Sequence, residues 1–186
     1  GFRSKPVLVR FRILDPALAY GPGGLRDLSI PAGDVLAFSR AAFSGSAFRR
    51  VFIIENDVTA LSLPDMAGSI AMFGRGYGTD FLGDGRWLVG LDVFYWGDID
   101  THGFAILDQF RQVLPGLQSL FMDESTLLQN RDRWVSEPRP TRRILENLTA
   151  EEADLYQGLV DDRWGSAVRL EQELIEFSVI QRSLKF

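Results

Sequence analysis

The sequence predicts an α/β fold: a parallel sheet of about four strands with helices packed on its faces, preceded by a small β-rich appendage. Three observations carry this expectation. Short β-branched apolar runs recur, too short for helices and apolar on both faces: "RVFIIEN", "SIAMFG", "LDVFYWG" and "LQSLFMD". Amphipathic segments separate some of them, as strand-crossover-strand units require. Most of the runs close on a carboxylate, namely Glu55, the pair Asp98 and Asp100, and Asp123.

The elements follow in chain order. Residues up to about Ser46 read as extended pieces, with "PVLVRFRILD" alternating and "LSIPAGDVLAF" following the turn signal "YGPGG"; "FSRAAFSGSAF" reads as a linker or packed loop. A boundary near Arg49 therefore divides an appendage over 1–48 from a main domain over 49–186. In "THGFAILDQFRQVLP", Phe104, Leu107, Phe110 and Leu114 fall near helical spacing and Pro115 stops the helix. "TAEEADLYQGLV" has Thr149 as N-cap with acids in its first turn, and "SAVRLEQELIEFSVIQRSL" reads as a second helix.

Composition narrows the chemistry. The 186 residues, 46% hydrophobic, can bury one sizeable core. There is no cysteine and one histidine, His102. Disulfides, thiol catalysis and ordinary zinc sites are thereby excluded, and any metal must be a hard, oxygen-bound ion. No 18-residue apolar run and no basic-then-apolar leader is present, which leads to the expectation of a cytoplasmic protein without a membrane span. The net charge of −5 argues against a general nucleic-acid coat. Yet Arg131, Arg133, Arg139, Arg142 and Arg143 crowd one window, and only Lys5 and Lys185 are lysines, so the cations are almost all guanidiniums suited to bidentate phosphate contact. A solvated charged face accounts for the same window.

Loops leaving the carboxyl ends of parallel strands build the ligand crevice, so Glu55, Asp98, Asp100 and Asp123 are expected to converge. Carboxylates gathered without lysines call for a divalent cation, and oxygen ligands favour Mg²⁺ or Mn²⁺. The helix starting near Thr101 would add N–H groups and dipole density suited to a phosphate oxygen. Each acid has an ordinary alternative as a turn or helix-cap residue. His102 reads equally as a loop-orienting residue, and "GRGYG", with Arg75, as a turn or a phosphate cradle. Arg169 and Glu173, four apart on the expected last helix beside Glu171, can form an ordinary surface bridge.

Together, "VFIIEN" and "YWGDIDTHGFAIL" resemble a Toprim domain, in which one strand ends in Glu and a later one in D-x-D. D-I-D-T-H-G is similar to the D-x-D-P-H-G signature of topoisomerase VI A subunits. With "IIENDVTALSLP", "FGRGYG", "SLFMDESTLL" and "RLEQELI", the chain resembles the C-terminal region of the JetD family of Wadjet anti-plasmid proteins over about Ile13 to Leu174. That resemblance implies a Rossmann-like Toprim sheet and a Mg²⁺-dependent DNA endonuclease acting on double-stranded plasmid DNA beside SMC-like Wadjet partner subunits. By motif, Glu55 would be metal ligand and acid/base, and Asp98 and Asp100 would hold cations. Asp123 would be a further ligand, and His102, Arg75, Arg131, Arg133, Arg169, Glu171 and Glu173 auxiliary or DNA-binding residues. Relatives are longer, so a C-terminal piece is expected, and cutting both strands is simplest for a homodimer. Metal-assisted hydrolysis needs no protein nucleophile and suits the composition. The rival readings are a non-catalytic scaffold that binds metal or DNA in an SMC complex, and a haloacid-dehalogenase-type phosphatase, whose D-x-D-x-T and balancing lysine are lacking here.

Overall fold

The computed structural model describes residues 6–43, 47–74, 82 and 85–176. The architecture is mixed α/β, with a six-stranded sheet flanked by helices and a small antiparallel pair. Two compact units, Gly1–Phe94 and Tyr95–Phe186, divide the chain.

In the first unit the apolar runs form the strands expected of them. β3 (Arg50–Ile54) and β4 (Ser69–Phe73) pair in parallel, from Arg50 opposite Ser69 to Ile54 opposite Phe73. Val51 to Ile54 are fully buried, as are Ile70 to Met72, which is why these runs lack the alternation of a half-exposed strand. Between them lies α2 (Asp57–Ser62), opened by the Asn56 side chain accepting from the N–H groups of Val58 and Thr59.

β1 (Leu8–Ile13) does alternate, burying Val9, Phe11 and Ile13. It pairs antiparallel with both β2 (Asp27–Pro31) and β4, so the N-terminal strands extend the main sheet directly. The hydrogen-bonded order is β2-β1-β4-β3-β5-β6, where β5 spans Asp92–Trp96 and β6 Gln118–Ser119. The boundary between the units falls inside β5. One expectation fails here: Val35–Phe43 is a helix, α1, rather than extended chain running into a loop. Val35 and Ser39 lie one turn apart and are buried, which is a helical period.

In the second unit, Tyr95 and Trp96 end β5 fully buried, and Leu120 N–H donates to Tyr95 O at 2.8 Å. α3 (Thr101–Val113) buries Phe104, Leu107 and Phe110, with the Phe110 ring 5.3 Å from that of Tyr95. α5 (Ala150–Val160) opens with a complete capping box between Thr149 and Glu152. Glu152 also forms a buried ion pair with Arg111 of α3 and accepts from Ser119 Oγ at 2.6 Å. α4 (Glu124–Gln129) is short.

Two further expectations are corrected. "LQSLFMD" supplies only the two-residue β6, because Phe121 takes φ 55° and turns the chain away. The expected helix over 166–184 is not an α-helix in its described part, which holds only the 3₁₀ turn Gln172–Leu174. Val168–Arg169 is β8, antiparallel to β7 (Val135–Ser136), and Leu170 exchanges both backbone hydrogen bonds with Ile99 at 2.9 and 3.1 Å. Pairing with distant backbone has overridden the local helical preference of "RLEQEL"; residues 177–186 lie outside the described residues. Among the described residues, no helix is long and apolar enough to cross a membrane.

Candidate functional site

The D-x-D segment of the second unit begins one glycine past β5. Ile99 is buried and bridged to Leu170, which sets Asp98 and Asp100 on either side of it against the 169–172 strand and turn. Asp100 is the N-cap of α3, its Oδ1 accepting from Gly103 N–H at 2.7 Å. Gly103 has a steric reason to be glycine. A Cβ there would lie 2.1 Å from the Asp98 carbonyl oxygen and 3.4 Å from Asp100 Oδ1.

The positive group opposing these acids belongs to the protein. Arg169, projecting from β8, donates from Nη2 to Asp98 Oδ2 at 2.6 Å and stands 3.4 Å from Glu171 Oε1. Its Nε lies 3.2 Å from Asp100 Oδ2, an ion contact lacking the alignment of a hydrogen bond. The other oxygen of Asp98 accepts from Gln172 N–H at 2.8 Å. Burial works against the Arg169 charge, but the hydrogen bond with Asp98 and the fields of Asp98, Asp100 and Glu171 outweigh it.

Glu137 is a fourth carboxylate, found by the structure alone. It is 4% exposed and accepts from Thr101 N–H at 3.1 Å and from Thr101 Oγ1 at 2.7 Å. Nothing local flags it: it sits in the Arg-Pro window that reads as solvated chain. One consequence is that the Thr101 and Gly103 N–H groups, expected to face a phosphate, are spent on internal carboxylates. A second is electrostatic. Burial drives the Asp100 carboxyl up to about 6; Glu137 and Asp98 push the same way, while the Gly103 N–H and Arg169 pull it down only in part.

The other expected residues are placed as follows. Glu55 follows β3 directly, half-buried, in the first unit. Asp123 is exposed and caps α4, accepting from Thr126 N–H at 2.8 Å and Thr126 Oγ1 at 3.0 Å, the cap role weighed as its alternative. His102 is exposed and donates from Nε2 to Arg139 O at 2.7 Å, since a carbonyl can only accept. This is the loop-orienting role. Arg131 lies over the Trp134 ring, and Arg133 is held by Leu174 O and Glu176. Glu173 is exposed in a 3₁₀ turn, not on a helix beside Arg169. Arg75 lies outside the described residues.

A family model described as "Wadjet protein JetD, C-terminal" matches residues 1–184. The chain belongs to that family. Its membership connects this JetD C-terminal chain with the Wadjet defence system, as the D-I-D-T-H-G and "RLEQELI" segments led one to expect. Comparison with curated proteins finds no match.

Mg²⁺ is the cation that the sequence resemblance implies. Among the described residues, no group of three or more His, Cys, Asp or Glu side chains is placed to hold a metal ion. Mg²⁺, however, commonly takes one or two carboxylates and completes its shell with water and substrate phosphate. The Asp98–Asp100 pair meets that description in donor type and number. Gln172, whose backbone N–H holds Asp98, has a buried Oε1 with no hydrogen-bond partner among the described residues. The pair fits the ion on condition that Arg169, its present counter-charge, yields its place.

Proposed function

We propose that this chain is a Toprim-type nuclease module that hydrolyses phosphodiesters in double-stranded plasmid DNA, using Mg²⁺ or in its place Mn²⁺. In this reading it works as a homodimer in the cytoplasm, alongside the SMC-like subunits of the Wadjet system. The observation that carries the reading is the Asp98–Asp100 pair: two carboxylates at the end of a buried strand, one of them destabilised in its charged form by burial and by like charges. Such a group gains most when a divalent cation arrives. The bound cation would stabilise charge on the phosphate and make an attacking water more acidic.

The chain's own residues do the preparatory work. Gly103 N–H and Gln172 N–H each hold one oxygen of an aspartate, fixing both carboxylate planes. Arg169 keeps the acids from repelling one another open while no cation is present, and once displaced its guanidinium is free to meet a phosphate oxygen. Glu55 is assigned by the family resemblance to the same reaction, as ligand and acid/base.

The test is conversion of supercoiled plasmid with Mg²⁺ or Mn²⁺ against EDTA, for wild type, Asp98→Ala and Glu55→Ala, with partner subunits present. Metal-dependent cutting lost in both variants supports the proposal; cutting unaffected by either rejects the site. One observation favours a second reading: Arg169 already supplies the pair with a counter-charge, as it would in a non-catalytic scaffold. Absence of cleavage under every condition, with Asp98→Ala still supporting assembly, would select that alternative.

A further inference from the structure

The arginine-rich window separates into two kinds of residue. Arg131 and Arg133 are engaged by Trp134 and by Leu174 O and Glu176, whereas Arg139, Arg142 and Arg143 are exposed and their side chains have no hydrogen bond or ion pair among the described residues. Pro138 to Leu145 contains these three cations and no acid, in a protein of net charge −5. The chain around them is fixed. His102 Nε2 donates to Arg139 O at 2.7 Å, Thr141 N–H to Thr101 Oγ1 at 2.7 Å, and Tyr156 Oη to Arg143 O at 2.8 Å. Pro138 and Pro140 stiffen it further. Buried Glu137, immediately before the loop, is bound to Thr101, the first residue after the aspartate pair.

Like charges on a loop repel, and this loop holds their backbone by hydrogen bonds while no described residue pairs with their side chains. We infer that Arg139, Arg142 and Arg143 form a pre-ordered contact surface for the phosphodiester backbone of duplex DNA, with the loop anchored at the N-terminus of α3 beside Asp98 and Asp100. Guanidinium rather than ammonium is the group that meets phosphate oxygens in pairs. From Arg139 to Arg143 extended chain reaches ~14 Å, enough for several phosphates at about 3.4 Å of helix axis each. Holding the backbone by internal hydrogen bonds lowers the ordering cost of binding. The surface rests on the nuclease reading above and adds to it the residues that position the substrate.

Binding is measured in EDTA, where metal-dependent cutting is blocked, as fluorescence anisotropy of a labelled 30-base-pair duplex across a salt series. The full chain is compared with Arg139→Gln/Arg142→Gln/Arg143→Gln, whose exposed positions leave the fold intact by circular dichroism. We expect the triple variant to bind at least about tenfold more weakly at 0.1 M salt. The slope of log K against log salt should shrink by up to about 3, at about 0.9 per lost phosphate contact. Unchanged affinity and slope overturn the inference, as does wild type that fails to bind the duplex or releases it equally well to polyglutamate. A chain that binds through this loop yet never cuts with metal refutes the nuclease reading alone.

Discussion

Asp100→Asn is the most informative perturbation of the carboxylate pair. Asp100 is 5% exposed, and its carboxyl is lifted from 3.8 to about 6, chiefly by burial. At about 1.4 kcal/mol per pH unit, keeping it ionised costs the folded protein about 3 kcal/mol. Because the folded-state value lies above the unfolded one, the native protein holds its proton longer. The contribution of Asp100 to stability is therefore full below about pH 4, falls as pH rises through 4 to 6, and stays reduced above that window. Asparagine caps a helix as well as aspartate does and retains an acceptor for Gly103 N–H, while Arg169 keeps Asp98 and Glu171. Urea unfolding in EDTA should thus find the variant equal to wild type near pH 4 and more stable by up to about 3 kcal/mol near pH 7.5. Adding Mg²⁺ should close the gap by stabilising wild type alone. A variant less stable than wild type at pH 7.5, or a gap of the same size at every pH, would refute this account of the site.

Arg169→Met removes the internal counter-ion, so calorimetric titration with Mn²⁺ should show tighter binding than wild type, and Asp98→Asn should show none; weaker binding in Arg169→Met would mean that the arginine organises the site instead of competing for it. Gly103→Ala places a Cβ against the Asp98 carbonyl 2.1 Å away, and should cost about 1–3 kcal/mol in denaturant while weakening Mn²⁺ binding. Arg111→Met strands the buried Glu152 carboxylate and should cost about 3–5 kcal/mol by the same measurement. Burial pushes the Glu152 carboxyl up, but hydrogen bonds from Arg111, Ser119 and the Thr149 N–H outweigh it and hold the group below its ordinary 4.5. Its contribution is present above that value and disappears as pH falls through the lower folded one, so Glu152→Gln should flatten the acid-side loss of stability.

Most elements were legible because their signals are local. β3, β4 and β5 announce themselves as short runs apolar on both faces, and α3 and α5 as periodic segments behind Asp100 and Thr149, whose side chains close the first turn within three residues. Asp98 and Asp100 were legible for a different reason. Two acids at the end of a buried strand demand a positive partner wherever the chain finds one, and the crowding was visible before the partner was.

The identity of that partner was not legible. Arg169 lies 71 residues from Asp98, in a segment whose spacing suits a helix, and its role follows from the Ile99–Leu170 bridge that lays β8 beside the aspartates. Glu137 was hidden in the same way: a charged window reads as solvent-facing until the Thr101 N–H and hydroxyl, 36 residues away, are seen to bury it. The same fold engages the side chains of Arg131 and Arg133 while leaving those of Arg139, Arg142 and Arg143 without a hydrogen bond or ion pair among the described residues. Short-range periodicity and local residue chemistry determined β3, β4 and β5, the helix caps and the need for positive charge beside Asp98 and Asp100, and the resemblance of its motif segments pointed to the family. Only the tertiary structure decided which groups meet that need, because burial and ion pairing depend on contacts between distant stretches of chain, and no window of neighbouring residues encodes those distances.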